Sequence, residues 1–224
     1  MLINADFDER VLLHTEDIAW VASPMAGVDR RPLDRIGGEV ARATTVVRYA
    51  PGSQFSAHQH GGGEEFIVLD GVFSDEHGDF PAGAYIRNPP TSRHTPGSEP
   101  GCTILVKLWQ MDPDDRTHIR ADLGKIGAVA DPARPGVAVT PLFLDAHEEV
   151  RVEQWQPGVA AQWDVPGGAE LFVLEGAAEE RGDALRRHSW LRLPPGGRVD
   201  LRAGPEGARI WMKLGHLAEI RMPG

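Results

Sequence analysis

Cysteine is almost absent from this chain of 224 residues, since Cys102 is the only one. A single thiol excludes an internal disulfide, and its place in the apolar run GCTILVKLW indicates a buried core residue rather than a reactive one. Long apolar runs are also missing, because none approaches the roughly 18 residues that a membrane helix needs. The first ten residues, MLINADFDER, are acidic where a secretory signal would be basic and then apolar. We therefore expect a cytoplasmic protein.

Positive charge is scarce as well. The chain has 23 basic residues against 33 acidic ones, which gives a formal net charge of −10. Only three of the basic residues are lysines, and the arginines form no basic cluster. This balance argues against nonspecific binding to nucleic acid or to an anionic membrane.

Glycine and proline, in contrast, are abundant, with 26 and 18 residues respectively. They separate short runs that are rich in β-branched and aromatic residues, such as ATTVVRYA and TILVKLWQ. Helix-forming patterns are weak and confined to residues 112–128 and a few residues at each end of the chain. The pattern predicts an all-β protein made of sandwiches, jelly rolls or small barrels.

One set of segments occurs twice along the chain, at an offset of 105 or 106 residues. The paired segments are EFIVLDG from Glu65 with ELFVLEG from Glu170, RNPP from Arg87 with RLPP from Arg192, ILVKLWQM from Ile104 with IWMKLGHL from Ile210, and RYAPG from Arg48 with QWQPG from Gln154. Their common order indicates two copies of one module. We predict a first module over residues 1–115, a connector over 116–138 and a second module over 139–224.

The first copy contains a cluster of metal-binding residue types within GSQFSAHQHGGGEEFIVLDG, residues 52–71. In a strand, His58 and His60 project from the same side, about 6.6 Å apart along the chain, which suits two imidazoles that converge on one ion. The three glycines after His60 let the backbone turn without a side chain that obstructs the site, and Glu64 returns a carboxylate toward the same face. A third imidazole can come from His94, which follows a PAG turn and a Pro-Pro corner.

These residues resemble the motifs of the cupin superfamily. The first cupin motif, G-x5-H-x-H-x3-E-x6-G, is filled at every position, and PxG followed by a later histidine is similar to the second motif. More narrowly, RYAPGSQFSAHQH, GVFSDEHGDFPAGAYIRNPPTSRHTP and GCTILVKLWQ resemble the cupin domain of ChrR-type anti-sigma factors, over roughly residues 18–113. The resemblance implies an all-β bicupin with two tandem jelly-roll β-barrels. It also implies one divalent metal ion per chain, with His58, His60, Glu64 and His94 as its ligands.

The identity of the metal stays open at this stage. Three imidazoles and one carboxylate suit Zn, Fe, Mn, Ni or Cu, and the resemblance to ChrR-type proteins favours zinc. Zinc with four protein ligands is typical of a structural or sensory site. Six-coordinate Fe or Mn with the same ligands would keep two open positions, enough for dioxygen and a substrate.

The second copy lacks these ligands. His58 and His60 correspond to positions within AAQWDVPGG, which contains no histidine. Glu64 corresponds to Ala169, and His94 corresponds to a position near Val199. We expect a structural role for this copy, such as covering an open sheet edge or forming an oligomer interface.

Several residues near the first motif are expected to have no direct role in the site. Glu65 is predicted to be a solvated carboxylate on the opposite face of its strand, and His77 to be an exposed turn residue. The aromatic residues on the motif strands are expected mainly in the core, with some of them lining a pocket. They are Tyr49, Phe55, Phe66, Tyr85 and Trp109.

Two functions fit the first copy. The first hypothesis is a sensory or regulatory module, linked to oxidative-stress transcription control, whose metal site detects a small molecule or an oxidant. The second is a metal-dependent dioxygenase or isomerase that uses Fe, Mn or Ni. No general acid or base stands out beyond the metal ligands, so no catalytic residue is assigned.

The resemblance also bears on partners. ChrR-type proteins carry an amino-terminal zinc domain, with the motif HxxxCxxC, that holds the sigma factor. The single cysteine of this chain cannot supply that motif, so direct binding of a sigma factor is not expected. We expect an unidentified small molecule near the metal and, from the resemblance to cupins, a homodimer.

Overall fold

The computed structural model describes residues 1–38 and 40–223 and divides the chain into two compact units. Unit 1 comprises residues 1–5 and 18–125 together with the carboxyl-terminal residues from 221, and unit 2 comprises residues 6–17 and 126–220. The described residues form β-strands, turns and one short 3-10 helix, Thr15–Asp17. No helix among them has the length and the apolar character needed to cross a membrane.

Unit 1 is built from short antiparallel strands, which are numbered here along the whole chain. They are β1 (Leu2–Ile3), β3 (Val21–Ala22), β4 (Val28–Gly37), β5 (Ala41–Tyr49), β6 (Ser53–Gln54), β7 (His58–Gln59), β8 (Glu64–Asp75), β9 (Gly78–Pro81), β10 (Ala84–Asn88), β11 (Arg93–His94), β12 (Gly97–Ser98), β13 (Cys102–Leu108) and β14 (Ile119–Asp122). The main sheet has the order β1-β4-β5-β13-β8-β10-β14, and β7 and β11 form a separate two-stranded ribbon.

Unit 2 has the same architecture. Its strands are β2 (Val11–His14), β15 (Val129–Ala130), β16 (Val137–Leu144), β17 (Glu149–Trp155), β18 (Ala160–Val165), β19 (Ala169–Glu180), β20 (Asp183–Leu185), β21 (Ser189–Leu193) and β22 (Gly197–Leu214). The sheet order is β15-β16-β17-β22-β19-β21-β2. The central run β17-β22-β19-β21 corresponds to β5-β13-β8-β10 in unit 1, as the sequence repeat predicts.

The predicted module boundaries differ from the two units in four places, and two of these are residues 126–138 of the predicted connector, which lie in unit 2, and the residues from 221, which lie in unit 1. Strand β14 lies in the predicted connector but pairs with β10, so unit 1 extends to residue 125. Residues 6–17 lie in unit 2, where β2 pairs with β21 at the edge that β14 occupies in unit 1. This pairing joins segments that are far apart in the sequence, so no local pattern could indicate it.

The prediction of a weak helix over residues 112–128 is wrong. Pro113, Gly124 and Gly127 disfavour a helix there, and the backbone groups of β14 form ladder hydrogen bonds with β10 instead.

Each unit has its own apolar core. In unit 1, Val47, Val68 and Ile104 are aligned across three neighbouring strands and lie in one buried cluster. In unit 2 the corresponding cluster includes Val173 and Ile210, which are paired in the same way. Because side chains alternate along a strand, this alignment sets one face of each sheet toward its core.

The opposite face of the central strands is also buried, and it carries matching polar residues in the two units. In unit 1 the Tyr85 hydroxyl donates a hydrogen bond to Glu65 over 2.5 Å, and in unit 2 the Trp190 Nε1 donates one to Glu170 over 2.9 Å. The prediction that Glu65 is solvated is therefore wrong, since it is only 2% exposed. Alternation placed it correctly on the face opposite Glu64, but it could not show that this face is covered.

Candidate metal centre

The four predicted metal ligands lie together at one end of the unit 1 sheet. His58 on β7 is directly paired with His94 on β11, and His60 follows β7 in the chain. The ring centroids are 4.8 Å apart for His58 and His60, 5.1 Å for His58 and His94, and 4.7 Å for His60 and His94. One ring nitrogen from each histidine lies within 4.8 Å of those of the other two. The antiparallel ribbon thus brings together two imidazoles that are 36 residues apart in sequence.

Glu64, the first residue of β8, completes the group. Its Oε2 lies 3.5 Å from Nε2 of His60 and 3.5 Å from Nε2 of His94. These spacings match the distance of about 3.4 Å between neighbouring donors that tetrahedral bonds of roughly 2.1 Å to one zinc ion would give. Both Nε2 atoms are buried and form no hydrogen bond within the described residues. Because burial of a polar atom without a partner is costly, two such atoms facing one carboxylate fit a bound cation.

Two further side chains orient these ligands. Nδ1 of His94 lies 3.2 Å from Oδ2 of Asp75, a carboxylate that accepts a hydrogen bond and so leaves Nε2 free to bind a metal. The Asn88 side-chain amide donates a hydrogen bond to Oε2 of Glu64 over 3.3 Å. On the exposed side, Nδ1 of His58 lies 3.2 Å from the Ser56 carbonyl oxygen. Neither Asp75 nor Asn88 was predicted from the sequence.

The surroundings shift the pKa of two ligands in opposite directions. Burial lowers the pKa of His60, and the neighbouring imidazoles add to that effect while Glu64 opposes it. Burial also acts to lower the pKa of His94, but the hydrogen bond to Asp75 and the charges of Glu64 and Asp75 outweigh it, so the pKa is raised. Burial acts to raise the pKa of Asp75, but the hydrogen bonds from His94 and from the His77 backbone hold it below its usual range.

The three glycines between His60 and Glu64 are required by the close approach of Trp109 and Met111. A Cβ on Gly61 would lie 2.7 Å from Cζ2 of Trp109, and one on Gly62 would lie 2.7 Å from Cγ of the same indole. Gly63 has φ +78°, and a Cβ there would lie 2.9 Å from Cγ of Met111. The glycines therefore let Trp109 pack directly on the backbone of the ligand loop, a contact that the sequence does not reveal.

A cavity of about 270 Å³ opens beside the ligands in unit 1. His58, His60 and Glu64 form part of its wall. Of the aromatic residues considered from the sequence, Tyr49, Phe55 and Trp109 line the cavity, whereas Phe66 and Tyr85 are buried outside it. The cavity gives a small molecule a route to three of the four candidate ligands.

The expectations for Cys102 and His77 are confirmed. Cys102 is buried, and burial raises the pKa of its thiol to about 11. His77 lies exposed in the turn between β8 and β9.

Unit 2 has apolar residues at the corresponding positions. Trp163 pairs with Val199 where His58 pairs with His94 in unit 1, and Ala169 pairs with Leu214 where Glu64 pairs with Leu108. Leu193 stands at the position of Asn88 in the repeat. Among the residues that the structure describes, the cluster of His58, His60 and His94 is the only group of three side chains with metal-ligating spacing. Comparison of the two copies could have pointed to Asn88, because it is replaced by an apolar residue in the copy that lacks the ligands.

Sequence comparison identifies one family. Residues 8–112 match the family described as the ChrR cupin-like domain. No curated protein matches the chain.

Several solved structures share the fold at low sequence identity. A protein from Nostoc punctiforme, proposed to be a dioxygenase, is 14% identical with a TM-score of 0.78, over 97% of this chain and 87% of that one. A cupin 2 conserved barrel domain protein from Leptotrichia buccalis is 10% identical with a TM-score of 0.63, over 96% and 100% of the two chains. The bacterial pirin YhhW from Escherichia coli, solved in complex with nickel(II), is 14% identical with a TM-score of 0.64, over 92% and 99%. At these identities the likeness establishes the fold alone.

Proposed function

Residues 8–112 of this chain belong to the ChrR cupin-like family of the cupin superfamily, and from this premise we propose that the protein is a metal-binding bicupin. Its two units are two tandem cupin modules, of which only the first holds a divalent cation. The ligands are His58, His60, Glu64 and His94. One arrangement supports this above all: the buried Nε2 atoms of His60 and His94 both face Oε2 of Glu64 at 3.5 Å and have no hydrogen bond among the described residues.

Zinc is the metal that we propose, because the family resemblance favours it and four protein ligands suit a closed tetrahedral site. When bound, such an ion would link the ribbon of β7 and β11 to β8 and so stabilise unit 1. The residues of the chain would set the geometry. Asp75 holds the His94 ring through Nδ1, and Asn88 holds the Glu64 carboxylate.

We propose that this site serves detection rather than turnover, in a cytoplasmic module linked to oxidative-stress transcription control. The cavity supports access by a small molecule or an oxidant. Its wall among the described residues has no carboxylate or imidazole besides the candidate ligands that could serve as a separate general base. Tyr49 does not serve as a base, because burial together with the charge of Glu64 raises its pKa. The second module would then have a structural role, and a homodimer is part of the proposal.

The alternative is a metal-dependent dioxygenase or isomerase that uses Fe, Mn or Ni. Two observations favour it: the cavity reaches three of the candidate ligands, and the fold is shared with a protein proposed to be a dioxygenase. Octahedral coordination by the same four ligands would keep two positions for dioxygen and substrate.

Elemental analysis of the untagged full chain tests the metal site. We expect about one zinc ion per chain, a loss of metal in His58→Ala, and no loss in His147→Ala, which changes an exposed histidine of unit 2. Chelation should lower the melting temperature of the wild type and of His147→Ala but not that of His58→Ala, because binding to the folded state is linked to stability. Unchanged metal content in both variants would contradict the ligand assignment.

Oxygen consumption separates the two functions. Protein loaded with Fe(II) is offered diketones, catechols and thiols. Stoichiometric zinc in the isolated protein with no oxygen uptake supports the sensory module, whereas substrate-dependent uptake would favour the enzyme.

A further inference from the structure

Arg30 on β4 lies on the core face of the unit 1 sheet. It is paired with Val47 on β5, which is paired with Ile104 on β13, so the three side chains share one face. Val47 and Ile104 belong to the apolar core, and all three residues line the cavity beside the candidate metal centre. Arg30 is a half-buried residue, and an arginine on an apolar wall is unusual unless an acceptor lies within its reach.

The described part of the chain provides no such acceptor. Arg30 has no hydrogen bond or ion pair with any described residue. Arg48, on the neighbouring strand and on its opposite face, binds Asp29 over 2.6 Å. Arg48 therefore has a structural partner within the fold, whereas Arg30 lines the cavity without one among the described residues.

Tyr49 adds a second donor to the same wall. It pairs with Val28 two residues before Arg30, so its ring and the guanidinium are diagonal neighbours on one face. Its ring packs edge-on against Phe55 with centroids 5.1 Å apart, which fixes its position in the cavity wall. Burial and the charge of Glu64 raise the pKa of Tyr49, and the charge of Arg30 opposes them only in part, so the hydroxyl keeps its proton and can donate it in a hydrogen bond. The hydroxyl forms no hydrogen bond with the described residues.

We propose that this cavity binds a small carboxylate with an apolar body, whose carboxylate is held by the Arg30 guanidinium and the Tyr49 hydroxyl and whose body lies against Val47 and Ile104 on the way to the metal centre. The inference rests on the proposed function, since it names the ligand class of the same site.

The physical chemistry of the wall suits a small carboxylate with an apolar body. The guanidinium fork matches the two oxygens of a carboxylate and binds them in a bidentate manner. Arg35, the other arginine in the wall, donates to the Gly38 carbonyl oxygen, whereas Arg30 has no acceptor among the described residues. A volume of about 270 Å³ is close to the smallest small-molecule sites, so it suits a small ligand. The apolar wall between Arg30 and the ligands favours an aliphatic or aromatic body.

Calorimetric titration of the zinc-loaded full chain tests the inference. The probes are butyrate and benzoate, with butyramide, benzamide and inorganic phosphate for comparison. We expect the carboxylates to bind and the amides to bind at least tenfold more weakly. Arg30→Met should weaken carboxylate binding roughly tenfold to 100-fold, as loss of a charge-assisted bidentate contact does. Tyr49→Phe should weaken it several-fold, and Arg48→Met should change it less than twofold.

Metal content and melting temperature are measured on every variant, so the two proposals can fail separately. Absence of carboxylate binding, unchanged affinity in Arg30→Met, or tighter binding of phosphate would overturn the carboxylate site while the metal content still supports the metal centre. If Arg30→Met does not fold, the carboxylate affinities of Arg30→Lys and Tyr49→Phe test the site instead. Lysine keeps the positive charge but loses the bidentate guanidinium. Wild-type affinity in both Arg30→Lys and Tyr49→Phe would therefore refute the carboxylate site.

Discussion

Replacement of Asp75 by asparagine should weaken metal binding although Asp75 does not face the metal position. Its Oδ1 accepts a hydrogen bond from the His77 backbone N–H over 2.7 Å, and its Oδ2 lies 3.2 Å from Nδ1 of His94. An asparagine has only one acceptor oxygen. If that oxygen keeps the His77 bond, the amide NH2 faces His94, which must then accept at Nδ1 and carry its proton on Nε2. A protonated Nε2 cannot bind a metal.

The magnitude follows from the loss of this orienting contact. Changes in groups that orient a metal-bound histidine typically cost 10-fold to 100-fold in affinity, which corresponds to about 1.4–2.8 kcal/mol. We therefore expect the zinc affinity of Asp75→Asn to fall by that factor, while His94→Ala should lose still more. Competition between the metal-free protein and a chelator of known affinity measures the change.

A matched control lies in the same hairpin. Asp79 accepts a hydrogen bond from Ser74 over 2.7 Å and does not contact any candidate ligand in the described structure. Asp79→Asn should therefore keep the affinity of the wild type. An affinity of Asp75→Asn within twofold of the wild type, with His94→Ala impaired, would refute the role given to Asp75.

Two further predictions concern the fold and the thiol. Gly71 and Gly52 have nearly the same φ, +71° and +74°, but a Cβ on Gly71 would overlap the Gly101 carbonyl oxygen, whereas one on Gly52 meets nothing within 4 Å. Gly52→Ala should cost about 1–2 kcal/mol of unfolding free energy, because alanine is strained at a positive φ. Gly71→Ala should cost at least about 2 kcal/mol more, because of the added clash. Equal losses of the two variants in chemical denaturation would contradict the clash. Burial raises the pKa of Cys102 from 9.0 to about 11. At pH 8 its thiolate fraction should therefore be roughly 100-fold below that of an ordinary thiol, and it should rise as the pH approaches about 11. Rapid labelling of the folded protein by Ellman's reagent at pH 8 would show instead that the thiol, as well as the metal site, can respond to oxidants.

The candidate ligands could be predicted because most of their pattern is local. His58, His60 and Glu64 lie within seven consecutive residues, and His94 was identified through the resemblance to the second cupin motif. The groups that support these ligands could not be found in this way. Asp75 lies at the end of β8 and reaches His94 only because β8 and the ribbon of β7 and β11 come together in the folded unit.

For the glycine run, too, the need for a bend could be predicted from the sequence, but its cause could not. Its composition predicted a bend with no side chain in the way, which is correct. Trp109 and Met111, the residues that require the glycines, follow β13 and are almost 50 residues further along the chain. A sequence indicates that space is needed, but the residue that fills the space depends on which strands become neighbours.

The amino-acid order alone predicted an all-β chain with an internal repeat and a candidate ligand cluster in its first copy. Turn residues, side-chain alternation and short spacings can be read from residues that are close together in the sequence. Tertiary structure decided that residues 6–17 complete the second unit, that Glu65 is buried, and that Arg30 faces a cavity next to the candidate ligands. Alternation shows which side chains share a face. Which face is covered, and by what, depends on pairing between distant segments, and that pairing is fixed only when the whole chain has folded.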